Sequence, residues 1–206
     1  MIRFNTINLK ALFFIKIFLF FLILSCKTYA ENLEKPLIVL GEESAPVKIK
    51  IFSSFTCPHC ANFHLNVVPK IKKEYVDLGK VQLIFIDFPL DKMAFNASKL
   101  LNCIDKNKQI AFMDIIYEKQ SEWIAGSNFD EINKNLKNLA EKFKVSSETY
   151  DKCIDDEIIS DRILNGRIDA HKKYSIDSTP TIVINEIKFN NDINFKNIKK
   201  KIEKII

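Results

Sequence analysis

The chain has 206 residues, enough for one domain or for one domain carrying a large insertion. Its formal charge is +5, but residues 1–30 hold Arg3, Lys10, Lys16 and Lys27 and no acids, so the remainder carries only +1. That excludes the cationic surplus expected of a nucleic-acid-binding protein.

Residues 1–30 have the order of a secretory signal peptide. Cations come first, an apolar stretch over 11–24 follows with its uninterrupted part at 17–24, and Thr28-Tyr29-Ala30 offers cleavage after Ala30. The stretch falls short of the roughly 20 residues a membrane-spanning helix needs, which sets an uncleaved anchor second. A further alternative is a lipoprotein anchored through Cys26, because Ile23-Leu24-Ser25-Cys26 is similar to a bacterial lipobox, although Leu24 departs from the usual residue. Each reading puts the rest of the chain outside the cytoplasm, with the periplasm as the expected location. Four cysteines then remain, Cys57, Cys60, Cys103 and Cys153, an even number for an oxidising compartment.

Residues 31–40 are expected to form an N-terminal linker. The alternation over 47–52 predicts a half-buried strand. Apolar residues from 58 to 78 recur at helical spacing (Phe63, Val67, Ile71, Tyr75, Leu78), with a kink expected at Pro69 and a stop at Gly79. The nearly continuous apolar run at 81–88 suits a buried parallel strand, completing a βαβ unit. From 92 to 173 the period changes to three and four, as in Ala97, Leu100, Leu101 and Ile104, then Phe112, Ile115 and Ile116. This predicts several consecutive helices broken near Gly126-Ser127-Asn128 and Ser146-Ser147. Strand character returns at 181–184 and 187–189, and 195–206 reads as a helix whose lysines form a solvated face.

Cys57-Pro58-His59-Cys60 lies where the first strand hands over to the helix. A sulfur at a helix N-terminus meets unpaired backbone N–H groups and the positive end of the macrodipole, which favour a thiolate, the nucleophilic form. Pro58 suits the first turn because it gives up only an N–H that has no partner in the helix. His59 can donate to the Cys57 sulfur or sit charged beside it. Stabilising the thiolate makes the disulfide more oxidising, by about 30 mV for each 1.4 kcal/mol. A c-type haem site is excluded because Ala61, not histidine, follows Cys60. Zinc on Cys57, Cys60 and His64 would need a fourth ligand from Cys103, Cys153 or His171, none at finger spacing. A purely structural Cys57–Cys60 bridge would gain little from so short a loop. No metal or cofactor is expected.

Phe55-Thr56-Cys57-Pro58-His59-Cys60-Ala61-Asn62-Phe63 resembles the active site of the DsbA-like disulfide oxidoreductases, and Gly41-Glu42-Glu43-Ser44-Ala45-Pro46-Val47 resembles the entry to their first strand. Thr179-Pro180-Thr181 is similar to that family's cis-proline loop, which pairs with substrate backbone. The resemblance covers residue 41 to the C-terminus. It implies an α/β, thioredoxin-like fold (41–91 and 174–206) with an inserted all-helical domain (92–173). It implies Cys57 as nucleophile, Cys60 as resolving partner, His59 as tuner and Thr179-Pro180 as the substrate-docking loop. It further implies that the protein oxidises cysteine pairs of exported proteins and is itself reoxidised by a quinone-linked membrane partner resembling DsbB.

The sequence departs from the family at Ile51 and Ser54, where relatives carry acids, and at Ser178 and Glu186, where glycine is common. The resemblance suggests a second, non-catalytic disulfide between Cys103 and Cys153; two buried free thiols are the alternative. His64 is expected on a helix surface or interface, and Phe55 and Phe63 beside the site. Two other functions fit the motif: a reductase or isomerase kept reduced by a membrane donor, and a binding or chaperone-like module that keeps the fold.

Overall fold

The structure is a computed structural model, described for residues 38–206. The expected signal peptide, its cleavage after Ala30, lipidation of Cys26 and all of the 31–40 linker before Ile38 lie outside the described residues.

Five strands, β1 (Ile38–Leu40), β2 (Val47–Ser53), β3 (Val81–Asp87), β4 (Thr181–Ile184) and β5 (Ile187–Lys188), form one mixed sheet in the order β1-β3-β2-β4-β5. β2 is central. It runs parallel to β3, with Ser53 opposite Asp87, and antiparallel to β4, with Ile51 opposite Ile182. The alternation legible in β2 decides its faces: Val47, Ile49 and Ile51 enter the main core, and Phe52 joins a second cluster with Phe88, Ala170, Ile176 and Val183. β1 corrects the linker reading of 31–40. Ile38-Val39-Leu40 is too short to show a period, and it becomes a strand by pairing antiparallel with the open edge of β3.

Helix α1 (Pro58–Asn66) joins β2 to β3, and α2 (Val68–Ile71) continues it into a π-helical turn at Lys72–Val76. The break falls at Val67, two residues before Pro69. Proline has no N–H for the carbonyl four residues back and its ring crowds that turn, so the ladder must reset ahead of it. The turn ends at Gly79, whose φ of +68° lets Lys80 N–H close back on the Tyr75 carbonyl at 2.9 Å.

Six helices follow before β4: α3 (Lys92–Cys103), α4 (Gln109–Glu118), α5 (Gln120–Trp123), α6 (Phe129–Glu141), α7 (Ser147–Asp155) and α8 (Glu157–Tyr174). The breaks expected near 126–128 and 146–147 are helix starts, where Asn128 accepts from Glu131 N–H and Ser146 from Thr149 N–H. Leu100, Phe112, Ile116 and Leu136 of these helices share one core with Ile49, Leu83 and Ile71. Each such buried side chain contributes about 1.5–3 kcal/mol, so apolar contact across the sheet–helix boundary holds the helices in place. The last helix, α9 (Phe195–Ile202), stops earlier than the sequence pattern suggests and buries Ile198 and Ile202.

The β4–β5 turn places two non-glycine residues, Asn185 (φ +45°) and Glu186 (φ +66°), in the left-handed region. Side chains offset this strain. Asn185 Oδ1 accepts from Lys48 N–H at 2.7 Å, and the Glu186 carboxylate is held by Lys173 at 2.8 Å and Lys50 at 2.5 Å. Those partners, Lys173 first, pull the Glu186 carboxyl down to about 2.

Candidate active site

The site forms at the C-terminal end of β2, where the strand hands over to α1. Cys57 is the residue capping α1, with extended backbone (φ −79°, ψ 119°), and Pro58 occupies the first turn. Cys60 and Ala61 N–H both donate to the Cys57 carbonyl, at 3.1 and 3.2 Å, which closes the first turn and brings the second sulfur back toward the first. Both thiols are buried, Cys57 at 8% exposure and Cys60 at 1%, so Cys57 is the less enclosed of the two. Burial pushes the Cys60 thiol up to about 12, with hydrogen bonds from Thr179 and the Ser54 backbone opposing it in part.

The Thr179-Pro180 peptide is cis and lies directly opposite, with Cys57 Sγ donating to the Thr179 carbonyl at 3.3 Å across 122 residues of sequence. His59 is exposed at the mouth of a groove of about 400 Å³, whose walls include Phe63, Thr179 and Pro180. Cys57, Cys60, His59, Thr179 and Pro180 are therefore brought together. His64 is not with them. It is buried one turn beyond Cys60 on α1, where Nε2 lies 2.7 Å from Asp114 Oδ1 and the ring packs on Tyr117 at 4.8 Å. Cys103 and Cys153 are also elsewhere, joined in a disulfide that links α3 to α7. Among the described residues, no three His, Cys, Asp or Glu side chains converge as a metal site.

Several supporting residues were missed at the level of sequence. Gln120, on the four-residue α5, is buried and donates from Nε2 to the carbonyls of Phe55 (2.7 Å) and Cys57 (3.1 Å). It thereby fixes the turn that presents the nucleophile, and nothing local in its own segment announces that role. Ile51 is core, so no acid lies six residues before Cys57. At Ser54 the missing acid is supplied from another element: Ser54 Oγ meets Thr56 Oγ1 at 3.2 Å, and Thr56 donates to Asp91 Oδ2 at 2.5 Å. Asp91 also caps α3 by accepting from Ala94 N–H at 2.8 Å, so one carboxylate ties the start of the helical segment to the cysteine loop.

Asp87 ends β3 below the site. The residue as a whole is partly exposed, but its Oδ2 is sealed from solvent and has no hydrogen-bond partner. Burial pushes its carboxyl up to about 7, against the pull of Ser98 and Arg162. With Ser53 and Tyr117 it lines a small enclosed cavity beneath β2. The buried Tyr117 hydroxyl is raised by burial first and then by the nearby charges of Cys60, Asp87 and Cys57. The signal in the sequence was an acid closing an otherwise apolar strand.

A family model described as thioredoxin matches residues 34–204. A Bacillus anthracis chain assigned as disulfide bond formation protein D is 32% identical over 174 residues, covering 80% of this chain and 76% of that one. A Rickettsia bellii chain assigned as a protein-disulfide oxidoreductase is 28% identical over 155 residues; the match covers 75% of this chain and only 59% of the relative's length. Among solved structures, Wolbachia pipientis alpha-DsbA1 superposes with a TM-score of 0.72 at 29% identity, covering 81% of this chain and 89% of that one. The mixed sheet with its helical insertion is therefore a thioredoxin-like fold of the kind seen in that structure.

Proposed function

The chain belongs to the thioredoxin family, in its DsbA-like group of thiol–disulfide oxidoreductases, and from that premise we propose that it introduces disulfide bonds into exported proteins through Cys57 and Cys60. The observation that carries this reading is the asymmetry of the pair. Both sulfurs are buried, but Cys57 is the less enclosed and donates to the Thr179 carbonyl beside the groove that His59, Thr179 and Pro180 line, whereas Cys60 is sealed behind it.

In the oxidised protein, a substrate thiolate attacks Cys57 Sγ, the less enclosed sulfur. The Cys57–Cys60 bond breaks, a substrate–Cys57 bond forms, and Cys60 leaves as a thiolate. Burial makes the Cys60 thiol the stable form up to about 12, so it takes up a proton as it leaves. A second substrate thiolate then attacks the substrate sulfur of the mixed disulfide and expels Cys57 as the thiolate. The substrate gains a disulfide and loses two electrons, which now reside on the dithiol. A quinone-linked membrane partner resembling DsbB reoxidises the pair. His59, exposed at the groove mouth, tunes the Cys57 sulfur, and the Thr179-Pro180 loop aligns the substrate backbone. The working place is the periplasm, reached by a signal peptide cleaved after Ala30.

The test is the reduction potential of Cys57–Cys60, from equilibration of the purified protein in graded glutathione buffers. A value approaching about −120 mV, where the handful of strong protein oxidants lies, supports oxidation of substrates. A value near about −270 mV, that of thioredoxin, would overturn it in favour of a reductase.

A further inference from the structure

The groove beside the active site, lined by His59, Thr179 and Pro180, does not end at the Thr179-Pro180 loop. It continues over the 190–193 segment into a second concavity of about 420 Å³ on the face of α9, and the two share Asn190, Asn191 and Asp192. The far wall of the second is formed by Lys200, Lys201 and Lys204. Their neighbour Lys199 is neutralised by Glu74 at 2.8 Å, whereas these three have no ion pair among the described residues. Asp192, at the junction, is the single acid in the lining, so the second concavity carries a net +2. Beyond residue 30 the whole chain carries only +1, which makes this wall a concentration of charge rather than a sample of the average surface.

The chemistry changes along the groove. At the His59 end the walls include Phe63, Ile193 and Pro180; further out they are the amides of Asn190, Asn191 and Asn197; beyond those are ammonium groups. Carboxamides donate and accept at once, which suits the backbone of an extended peptide, and unpaired lysines attract carboxylates. We propose that the groove running from His59 and the Thr179-Pro180 loop, next to Cys57, over the 190–193 segment to Lys200, Lys201 and Lys204 receives an acidic stretch of the substrate polypeptide on one side of its reacting cysteine, so that the protein prefers cysteines with Asp or Glu nearby in sequence. This rests on the reading of Cys57–Cys60 as a substrate-oxidising pair. Contacts of this exposed kind act mainly on the rate of encounter, and salt screens them.

The experiment uses dithiol peptides that differ only in carrying Glu, Gln or Lys on one side of the first cysteine or on the other. Their oxidation rates by the full, oxidised protein are measured at low and high salt. The Glu peptide of one orientation is expected to react about tenfold faster than its Lys counterpart, and the ratio should shrink at high salt. In Lys200→Glu/Lys201→Glu/Lys204→Glu the order should reverse; in the triple Gln variant, which removes charge without adding repulsion, the ratio should approach one. Equal rates across the wild-type series, or a preference unchanged in both variants, overturn the proposal while leaving thiol oxidation intact. Failure to oxidise any peptide overturns the oxidase reading and this proposal with it. If the variants lose binding to anionic lipid vesicles but keep the peptide order, the lysines serve a membrane surface and the proposal is overturned.

Discussion

The molecule holds two cysteine pairs, and they differ in almost every physical respect. Cys57 and Cys60 are three residues apart on a single helical turn and stand as buried free thiols, one against the Thr179 carbonyl and the other more deeply enclosed. Cys103 and Cys153 are 50 residues apart, joined by a disulfide, and tie α3 to α7 within the helical segment. Closing so short a loop removes little entropy from the unfolded chain, so the first pair adds little stability by being oxidised and can exchange freely. Closing a 50-residue loop removes a great deal. The same chemical group therefore serves exchange in one region and restraint in the other, with loop length and access deciding which.

The largest expected effect breaks the comparison at its reactive end. Cys57→Ser should lower thiol–disulfide exchange with a dithiol peptide by about three orders of magnitude or more, because hydroxyl cannot replace the thiolate nucleophile. Thermal stability of the reduced protein should barely move. Residual exchange close to wild type would show that the Cys57 sulfur is not the one attacked.

At the other end, Cys103→Ala/Cys153→Ala should lower the unfolding free energy by about 4 kcal/mol on the chain-entropy estimate, while exchange activity survives wherever the variant is folded. Denaturant unfolding at fixed redox state reads the first quantity and peptide oxidation the second. Unchanged stability, or activity lost from a folded variant, would erase the distinction between the pairs.

The smallest effect sharpens the picture beneath Cys57 and Cys60. Asp87 holds its proton up to about 7 in the folded protein and releases it near 3.8 when unfolded. The unfolded state thus binds fewer protons between those values, and the Asp87 contribution to stability falls as pH rises through that window. Asp87→Asn abolishes the slope. Relative to wild type, the variant should gain roughly 2–4 kcal/mol between about pH 4 and about pH 8. A parallel pH dependence in both proteins would show that the carboxyl ionises without cost.

Much of the fold was legible because its signals are local. Val47-Lys48-Ile49-Lys50-Ile51 displays the period of a strand with one face buried, and Asn128 and Ser146 cap helices through bonds to residues three positions on. β1 was illegible because three residues carry no period and its pairing partner, β3, lies more than 40 residues away. Gln120 escaped notice for a related reason, since its two acceptors are 63 and 65 residues distant.

By itself the sequence determined that two cysteines flank the first turn of a helix behind a strand, because two-residue spacing and a proline at the first position act through neighbouring backbone atoms alone. Only the tertiary structure decided which thiol is the more deeply enclosed, that the Thr179 carbonyl faces Cys57, that a carboxyl oxygen of Asp87 is sealed from solvent near Tyr117 and Arg162, and that Lys200, Lys201 and Lys204 line the continuation of the groove. Access, burial and facing depend on how distant segments pack, and no periodicity within a window of a few residues records that packing.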